Sequence, residues 1–371
     1  MWLAILVFGL FLGVLLLEFY AAKKRPRPST EGFGASFCTH DGKPTSKPEG
    51  PLKLSLSPHT VYKNFPNQKN SSFTINSHGF RGGELPSVGS FKNIIIAGDS
   101  GAFGYGVRDN ETISSLLETK LQGCHVINAG VMAFLSSQTL TYLVTELTDY
   151  HPDVFIVYLG ISDLLNARHN IIWKKNLLDY CGAFFGIEHR LLVDQKTQGS
   201  VRASFQRFIN TLSKKSALGL IFDEQVKKLR NRAGPYRPIA PNRINHMVDR
   251  YTSNLKKMND FCKSQGGKFL NVIQPELGFK SKRTPAENQF SQELGGLVGL
   301  NYSAKFSEDY RLFIEKSKSK LSLWGIPCVD PGTCPEFRDS DEQLFIDVVH
   351  TSRRGNEVIA QLIDKTLKKL S

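Results

Sequence analysis

The chain has 371 residues, of which 40% are apolar and 22% charged, and its formal net charge is +13. This composition excludes global disorder, and the length allows one large α/β domain or two small ones. The charge is uneven, because residues 164–242 hold 14 Lys or Arg against 5 Asp or Glu. A solvated helical surface would explain this surplus, as would attraction to anionic lipid headgroups or an acidic glycan. No nucleic-acid reader motif accompanies the charge, so nucleic acid is not a predicted partner.

The first 22 residues predict an uncleaved, single-pass membrane anchor. Residues 2–17 are uncharged and mostly apolar, and a basic segment, KKRPRP, begins at Lys23. As a helix, residues 1–22 would just span a bilayer, with Trp2 and Tyr20 at its interfaces. A cleaved signal peptide is disfavoured, because no Lys or Arg precedes the apolar run. Residues 23–72, rich in Pro, Ser, Lys and Gly, predict a juxtamembrane linker.

The side of the membrane on which the remaining chain lies is open. The positive-inside rule places the basic segment, and the domain that follows it, in the cytoplasm. Cys328 and Cys334 bracket the turn PCVDPGTC, where a disulfide could close a short loop on the other side. Ordinary reduced thiols are the alternative for all six cysteines, and their spacing does not resemble a zinc site. No metal or cofactor is predicted.

Short apolar segments alternate with helical patterns from residue 93 onward. This rhythm predicts an α/β domain over residues 73–371, with a doubly wound, mainly parallel sheet between two helical layers. Residues 164–242 interrupt it and predict an inserted, mostly helical cap, because a structureless loop of that length is improbable. The predicted strands cover residues 93–97, 125–130, 153–160, 268–273 and 326–330, and the predicted helices cover residues 111–121, 136–150, 244–264, 304–323 and 352–370.

Two segments 250 residues apart carry the chemistry. Ser100 follows the first strand in NIIIAGDSGAFGYGV, at the carboxyl edge where open parallel sheets bind ligands. Asp347 and His350, in LFIDVVHTSRRGN, lie just before the last helix. A serine hydroxyl needs a base to remove its proton and an acid to orient that base, and these three residues supply all parts. The glycines of the first loop, Gly98, Gly101, Gly104 and Gly106, would let the backbone approach a substrate closely.

These segments resemble the SGNH hydrolases, also called GDSL esterases and lipases. The first block of that family matches Gly98–Gly106, the second matches Gly130 in NAG, and the last, Asp-x-x-His, matches Asp347 and His350. The third block is normally Gly-x-Asn-Asp, but this chain has Ser162 in place of the asparagine. The lead-in INSHGFRG also resembles a segment found upstream of the first block. The resemblance covers residues 73–163 and 244–371 and implies a three-layer, flavodoxin-like α/β/α fold.

The resemblance also implies roles for the residues. Ser100 would be the nucleophile, His350 the general base and then acid, and Asp347 the residue that orients it. The oxyanion hole would use the backbone N–H groups of Ser100 and Gly130, with Ser162 as the side-chain donor, unless a neighbour such as Asn166 reaches in. Losing one such donor costs about 3 kcal/mol of transition-state stabilisation. The family's chemistry also favours an extracytoplasmic location.

The leading functional hypothesis is a membrane-anchored serine esterase that removes O-acyl groups, acetyl above all, from a carbohydrate or lipid-linked glycan. The same triad would serve an O-acyltransferase, in which a sugar hydroxyl replaces water. A lipase or lysophospholipase would need an apolar face on the cap to bind the acyl chain. A binding protein with a weakened site is the remaining alternative, because of Ser162.

Overall fold

The computed structural model describes residues 52, 54–69, 71–86, 91–165, 239–292 and 304–370, and within these ranges five parallel strands form a central sheet. The strands are β5 (Lys92–Gly98), β6 (Cys124–Gly130), β7 (Val154–Leu159), β8 (Lys268–Ile273) and β9 (Cys328–Val329). Their order across the sheet is β6–β5–β7–β8–β9, so the first strand of this sheet lies between its second and third strands. This is the flavodoxin-like order, and it confirms the predicted parallel sheet.

The strands form because their residues are apolar in continuous runs and both faces of the sheet are covered. In β5, β6, β7 and β8 the last five residues are all buried. The register pairs Gly98 with both Gly130 and Tyr158, so the loops after β5, β6 and β7 start at one edge of the sheet. The polar segments of the sequence motifs therefore meet at this edge.

The helices of the described residues are α1 (Ser100–Phe103), α2 (Ile113–Glu118), α3 (Ser136–Thr145), α4 (Pro241–Ser264), α5 (Pro285–Gln292), α6 (Ala304–Leu323), α7 (Pro335–Arg338) and α8 (Arg353–Leu370). Two groups of helices cover the sheet. In one group α4 packs on both α3 and α6, and in the other α2 packs on α8. Right-handed crossovers place the two groups on opposite faces, because the strand order reverses direction at β5.

Part of the predicted linker is structured, so the linker prediction is wrong for residues 54–69. Strands β1 (Leu54–Ser57) and β2 (Val61–Asn64) form an antiparallel hairpin, and β3 (Gln68–Lys69) pairs with β4 (Thr74–Ile75). Tyr62 and Asn64 are buried on one side of β2, as period-two alternation requires. The Pro- and Ser-rich composition concealed this alternation.

A disulfide between Cys328 and Cys334, one of the two alternatives that the sequence left open, is not formed, and both thiols are free. Each sulfur has its own polar partner: Asn271 Nδ2 lies 3.4 Å from Cys328 Sγ, and Cys334 Sγ lies 3.4 Å from the Asp330 carbonyl. Burial raises the pKa of the Cys328 thiol to about 11, which keeps it protonated. This pair therefore gives no reason to prefer either side of a membrane.

The predicted anchor, residues 1–22, lies outside the described residues, as does nearly all of the predicted cap, residues 166–238. Among the helices in the described ranges, none combines the length and apolarity needed to cross a bilayer. The anchor and the cap stay predictions.

A buried carboxyl at the end of β8 should make stability depend on pH. Burial raises the pKa of Glu276 to about 7, although hydrogen bonds from Gly278 N and the Ser307 hydroxyl oppose the shift. Because this folded-state pKa lies above that of the unfolded chain, the ionised form costs stability, and the cost grows as pH rises toward about 7. We expect Glu276→Gln to raise the free energy of unfolding by up to about 3 kcal/mol at pH 8 and to change it little at pH 5. Urea unfolding at both values checks this; equal effects at the two pH values would contradict it.

Candidate active site

Ser100 is the first residue of the four-residue helix α1, directly after β5. The preceding Asp99 caps this helix, and its Oδ1 accepts a hydrogen bond of 2.9 Å from Gly101 N. Since β5 lies between β6 and β7, Ser100 occupies the point where the strand order reverses, the usual ligand site of such sheets. The Ser100 N–H is one of the first backbone N–H groups of helix α1. Such groups have no acceptor within their own helix.

The structure brings Ser100, His350 and Asp347 together. Ser100 Oγ lies 2.8 Å from His350 Nε2, and His350 Nδ1 lies 2.6 Å from Asp347 Oδ2. With the Nδ1 proton donated to the carboxylate, Nε2 is free to accept the serine proton. The three side chains thus form the hydrogen-bond chain that activates a serine nucleophile.

Asp347 is also anchored by its own loop. Its Oδ1 accepts hydrogen bonds from Val349 N at 2.8 Å and His350 N at 2.7 Å. Burial opposes ionisation, but the charge of His350 and these hydrogen bonds hold the pKa of Asp347 below its usual value. The carboxylate is therefore ionised when His350 takes up the serine proton and becomes charged.

The acid limb of the pH–rate profile should lie above pH 6.5. Burial favours the neutral imidazole, but the charge and hydrogen bond of Asp347 raise the pKa of His350 above its ordinary value of 6.5. Since only neutral His350 can accept the Ser100 proton, kcat/KM should fall as pH drops through that raised pKa. Rates of p-nitrophenyl acetate hydrolysis between about pH 5 and pH 9 measure the limb. A midpoint below 6.5 would show that Asp347 does not stabilise the charged imidazole.

Tyr105 covers the imidazole, a contact that the sequence did not predict. The centroid of its ring lies 4.5 Å from that of His350, with the ring planes tilted by 35°. An aromatic face attracts a cation, so this contact favours the imidazolium that forms during proton transfer. Tyr105 belongs to the first loop, GAFGYG, but nothing in the spacing indicates which ring would reach the histidine.

The predicted oxyanion donors lie around Ser100, but two of them already contact an oxygen of the protein. Gly130 N donates to Asn128 Oδ1 at 3.1 Å, and Ser162 Oγ contacts Asp99 Oδ2 at 2.5 Å. The Ser100 N–H faces no such acceptor among the described residues. Asn166 lies outside the described residues. The oxyanion roles of Gly130 and Ser162 therefore stay predictions.

Two of the site's glycines are needed for close packing within the protein. A Cβ at Gly130 would lie 2.2 Å from Phe103 N, so any side chain there would displace helix α1. A Cβ at Gly98 would lie 2.0 Å from the Tyr158 carbonyl. Gly130 therefore lets helix α1 lie directly on β6, and Gly98 lets β5 approach the backbone of β7 closely at the point where the nucleophile turn begins.

Arg81, from the lead-in segment, holds the turn that follows the nucleophile. Its guanidinium is buried and donates to the carbonyls of Phe103 at 2.9 Å, Gly104 and Val107 at 2.5 Å each, and to Asp109 Oδ1 at 3.0 Å. A cation at these last carbonyls stabilises the carboxyl end of α1. The sequence indicated that the lead-in segment matters, but it did not predict a role for Arg81.

The β1–β2 hairpin supports the second block. Asn64 Nδ2 donates to the Gly130 carbonyl at 3.0 Å, and the Tyr62 hydroxyl donates to the Met132 carbonyl at 2.9 Å. Both side chains are buried. The segment predicted as a linker therefore fixes the backbone on which a predicted oxyanion donor lies.

The end of β8 supports the loop that carries His350. Gln274 Nε2 donates to the Val349 carbonyl at 3.0 Å, and Leu277 N donates to the Val348 carbonyl at 2.8 Å. In the described part of the chain, no group of three or more His, Cys, Asp or Glu residues is arranged to hold a metal ion.

Comparisons with known proteins give distant structural likenesses alone. No protein-family profile and no curated protein matches the chain. A carbohydrate acetylesterase from Sinorhizobium meliloti is 14% identical, with 76% of this chain and 100% of that one covered and a TM-score of 0.41. A lipase/acylhydrolase from Enterococcus faecalis is 15% identical (75% and 96% covered, TM-score 0.40). A member of the lipolytic protein G-D-S-L family from Veillonella parvula DSM 2008 is 12% identical, with 75% of this chain and 98% of that one covered and a TM-score of 0.40.

The sheet order, the motif blocks and the Ser100–His350–Asp347 hydrogen-bond chain resemble those of the SGNH hydrolases. The third block departs from the family at Ser162 but retains the aspartate. Asp163 accepts hydrogen bonds from Ser136 N at 3.2 Å and Ser136 Oγ at 2.6 Å, and burial raises its pKa to about 7. This contact ties the third motif block to the start of α3.

Proposed function

We propose that the chain is a serine esterase that removes O-acyl groups, acetyl above all, from a carbohydrate or lipid-linked glycan. Ser100 would attack the ester carbonyl while His350 accepts its proton, and the acyl group would remain on Ser100 until water resolves it. His350 would first protonate the leaving alcohol and then activate that water. The observation that carries the proposal is the unbroken hydrogen-bond chain from Ser100 Oγ to Asp347 Oδ2.

The proposed substrate class rests on charge and location. The surplus of nine positive charges in residues 164–242 suits an anionic glycan or a membrane surface. The apolar segment at residues 2–17 suits a single-pass anchor that keeps the enzyme beside a bilayer. An anionic substrate implies that KM should rise with ionic strength while kcat changes little.

The experiment labels the full-length chain, in detergent, with a fluorophosphonate probe, alongside Ser100→Ala. Labelling of the parent protein and none of the variant is expected. Hydrolysis of p-nitrophenyl acetate should exceed that of the octanoate ester, and an acetylated acidic glycan should be cleaved faster than a neutral one. Absence of serine-dependent labelling would reject the enzyme and leave a binding protein.

The same assay separates the neighbouring activities. Preference for the octanoate ester would identify a lipase. Transfer of acetyl to an added sugar, in preference to release of acetate, would identify an O-acyltransferase that uses the same acyl-enzyme.

A further inference from the structure

Asp99 joins the nucleophile turn to the third block. Its Oδ1 accepts the hydrogen bond from Gly101 N, and its Oδ2 lies 2.5 Å from Ser162 Oγ. Asp99 is 1% exposed, whereas Ser162 is half-buried. The Ser100–His350–Asp347 triad does not use this buried carboxyl.

The number of hydrogens at Ser162 limits what it can do. An ionised carboxylate only accepts hydrogen bonds, and a serine hydroxyl has one hydrogen to donate. If Asp99 is ionised, that hydrogen points at Asp99 Oδ2, and Ser162 has none left for an oxyanion. The asparagine usual at this position carries two amide hydrogens and could serve both acceptors.

We propose that Asp99 acts as a carboxylic acid that donates its proton to Ser162 Oγ, so that the Ser162 hydroxyl donates its own hydrogen to the oxyanion. This inference rests on the proposed esterase function. The proton stays on Asp99 throughout, and no bond is made or broken there. Asp99 is then a positioning residue, and Ser162 is the group that touches the reacting oxygen.

The contact is compatible with this direction of donation. An O···O distance fixes the contact but not which oxygen carries the hydrogen. Burial raises the pKa of Asp99, which favours the neutral acid, although hydrogen bonds from Ser162 and Gly101 and the charge of His350 oppose it. The titratable groups that interact with Asp99 across the neighbouring elements are His350, Asp163, Tyr158, Tyr251 and Tyr310.

The consequence is an alkaline limb in the pH–rate profile. When Asp99 ionises, Ser162 turns to it and the oxyanion loses a donor, a change that costs about 10²–10³ in rate. The acid limb belongs to His350. The two groups interact, so the limbs report apparent pKa values of the pair.

Asp99→Asn is the decisive variant, assayed in the full-length chain with p-nitrophenyl acetate. The asparagine Oδ1 can still accept from Gly101 N, and its Nδ2 donates permanently to Ser162 Oγ. The alkaline limb should disappear. At pH values above the parent's alkaline limb, kcat of the variant should exceed the parent value by at least about tenfold, which is part of the rate that one oxyanion donor contributes. The acid limb should stay where it is in the parent, because Asp99 is already uncharged at the pH where His350 titrates. Ser162→Asn should also abolish the alkaline limb, with Asp99 left intact.

Ser162→Ala supplies the control background. Asp99→Asn should give no gain there, because no hydroxyl remains to be released. A persistent alkaline limb in Asp99→Asn, or an equal gain in the alanine background, would overturn the proposal. If Asp99→Asn does not fold, as judged by circular dichroism, a persistent alkaline limb in Ser162→Asn overturns it instead. Fluorophosphonate labelling of the parent separates the two proposals: no labelling rejects the esterase, whereas labelling with an unchanged profile in both variants rejects the role of Asp99 alone.

Discussion

Asp347→Asn should lower kcat for ester hydrolysis by about 10⁴-fold while leaving the fold intact. An asparagine amide can donate to His350 Nδ1, which forces the ring proton onto Nε2. That nitrogen then faces Ser100 Oγ, 2.8 Å away, with a hydrogen in place of its lone pair. The imidazole would keep its position and lose its ability to accept the serine proton.

The measurement is kcat with p-nitrophenyl acetate, together with the rate of fluorophosphonate labelling, which should fall in parallel. Asp339→Asn is the matched control, because Asp339 is a well-exposed carboxylate paired with Arg338 on the surface. It should leave kcat within about twofold, as expected for a surface pair. A loss of less than tenfold in Asp347→Asn would show that the carboxylate does not select the tautomer of His350.

Glu287→Ala should lower the free energy of unfolding by about 3–5 kcal/mol. Lys280 and Glu287 form an ion pair of 2.8 Å whose side chains are both fully buried. Removing the carboxylate would leave the Lys280 ammonium in the core, where the Glu342 carbonyl is its one other acceptor among the described residues. A buried charge without its partner is far more costly than the loss of a surface pair.

The variant should also reduce activity, because Glu287 holds the chain that leads into the catalytic loop. Its Oε1 accepts hydrogen bonds from Leu344 N at 2.9 Å and Phe345 N at 3.2 Å, just before Asp347. Urea unfolding followed by circular dichroism measures the stability. Asp260→Ala, which breaks the exposed Lys256–Asp260 pair, is the control and should cost less than about 1 kcal/mol. Equal effects of the two variants would show that the buried pair is not structurally important.

Features set by local pattern were predictable from the sequence. Residues 268–273 are mostly apolar and all but Lys268 are buried, and both the predicted strand and β8 span that range. Ser100, Asp347 and His350 were identifiable because a parallel sheet brings its carboxyl ends to one edge, whichever part of the chain supplies them. The edge strand was harder to predict. Strand β9 is two residues long, shorter than the predicted residues 326–330, because it pairs with β8 only at Asn271 and Val272.

Features set by long-range contacts were not predictable. Besides their ion-pair partners, Arg81 and Glu287 each bind backbone groups, which carry no sequence signal. The contact between Asp99 and Ser162 joins loops 63 residues apart, so the motif that contains Asp99 does not indicate its partner. Cys328 and Cys334 lie close in sequence, but their sulfurs contact separate groups.

The β1–β2 hairpin determines how much of the amino terminus a catalytic fragment can lose. A truncation chosen from the motifs alone would start at residue 73 and would discard Asn64 and Tyr62, the donors to the carbonyls of Gly130 and Met132. An amino-terminal deletion series should therefore lose activity between residues 52 and 70, some 30 residues before it reaches the nucleophile. Proteolytic cleavage within the hairpin would inactivate the enzyme for the same reason, with every triad residue still in place.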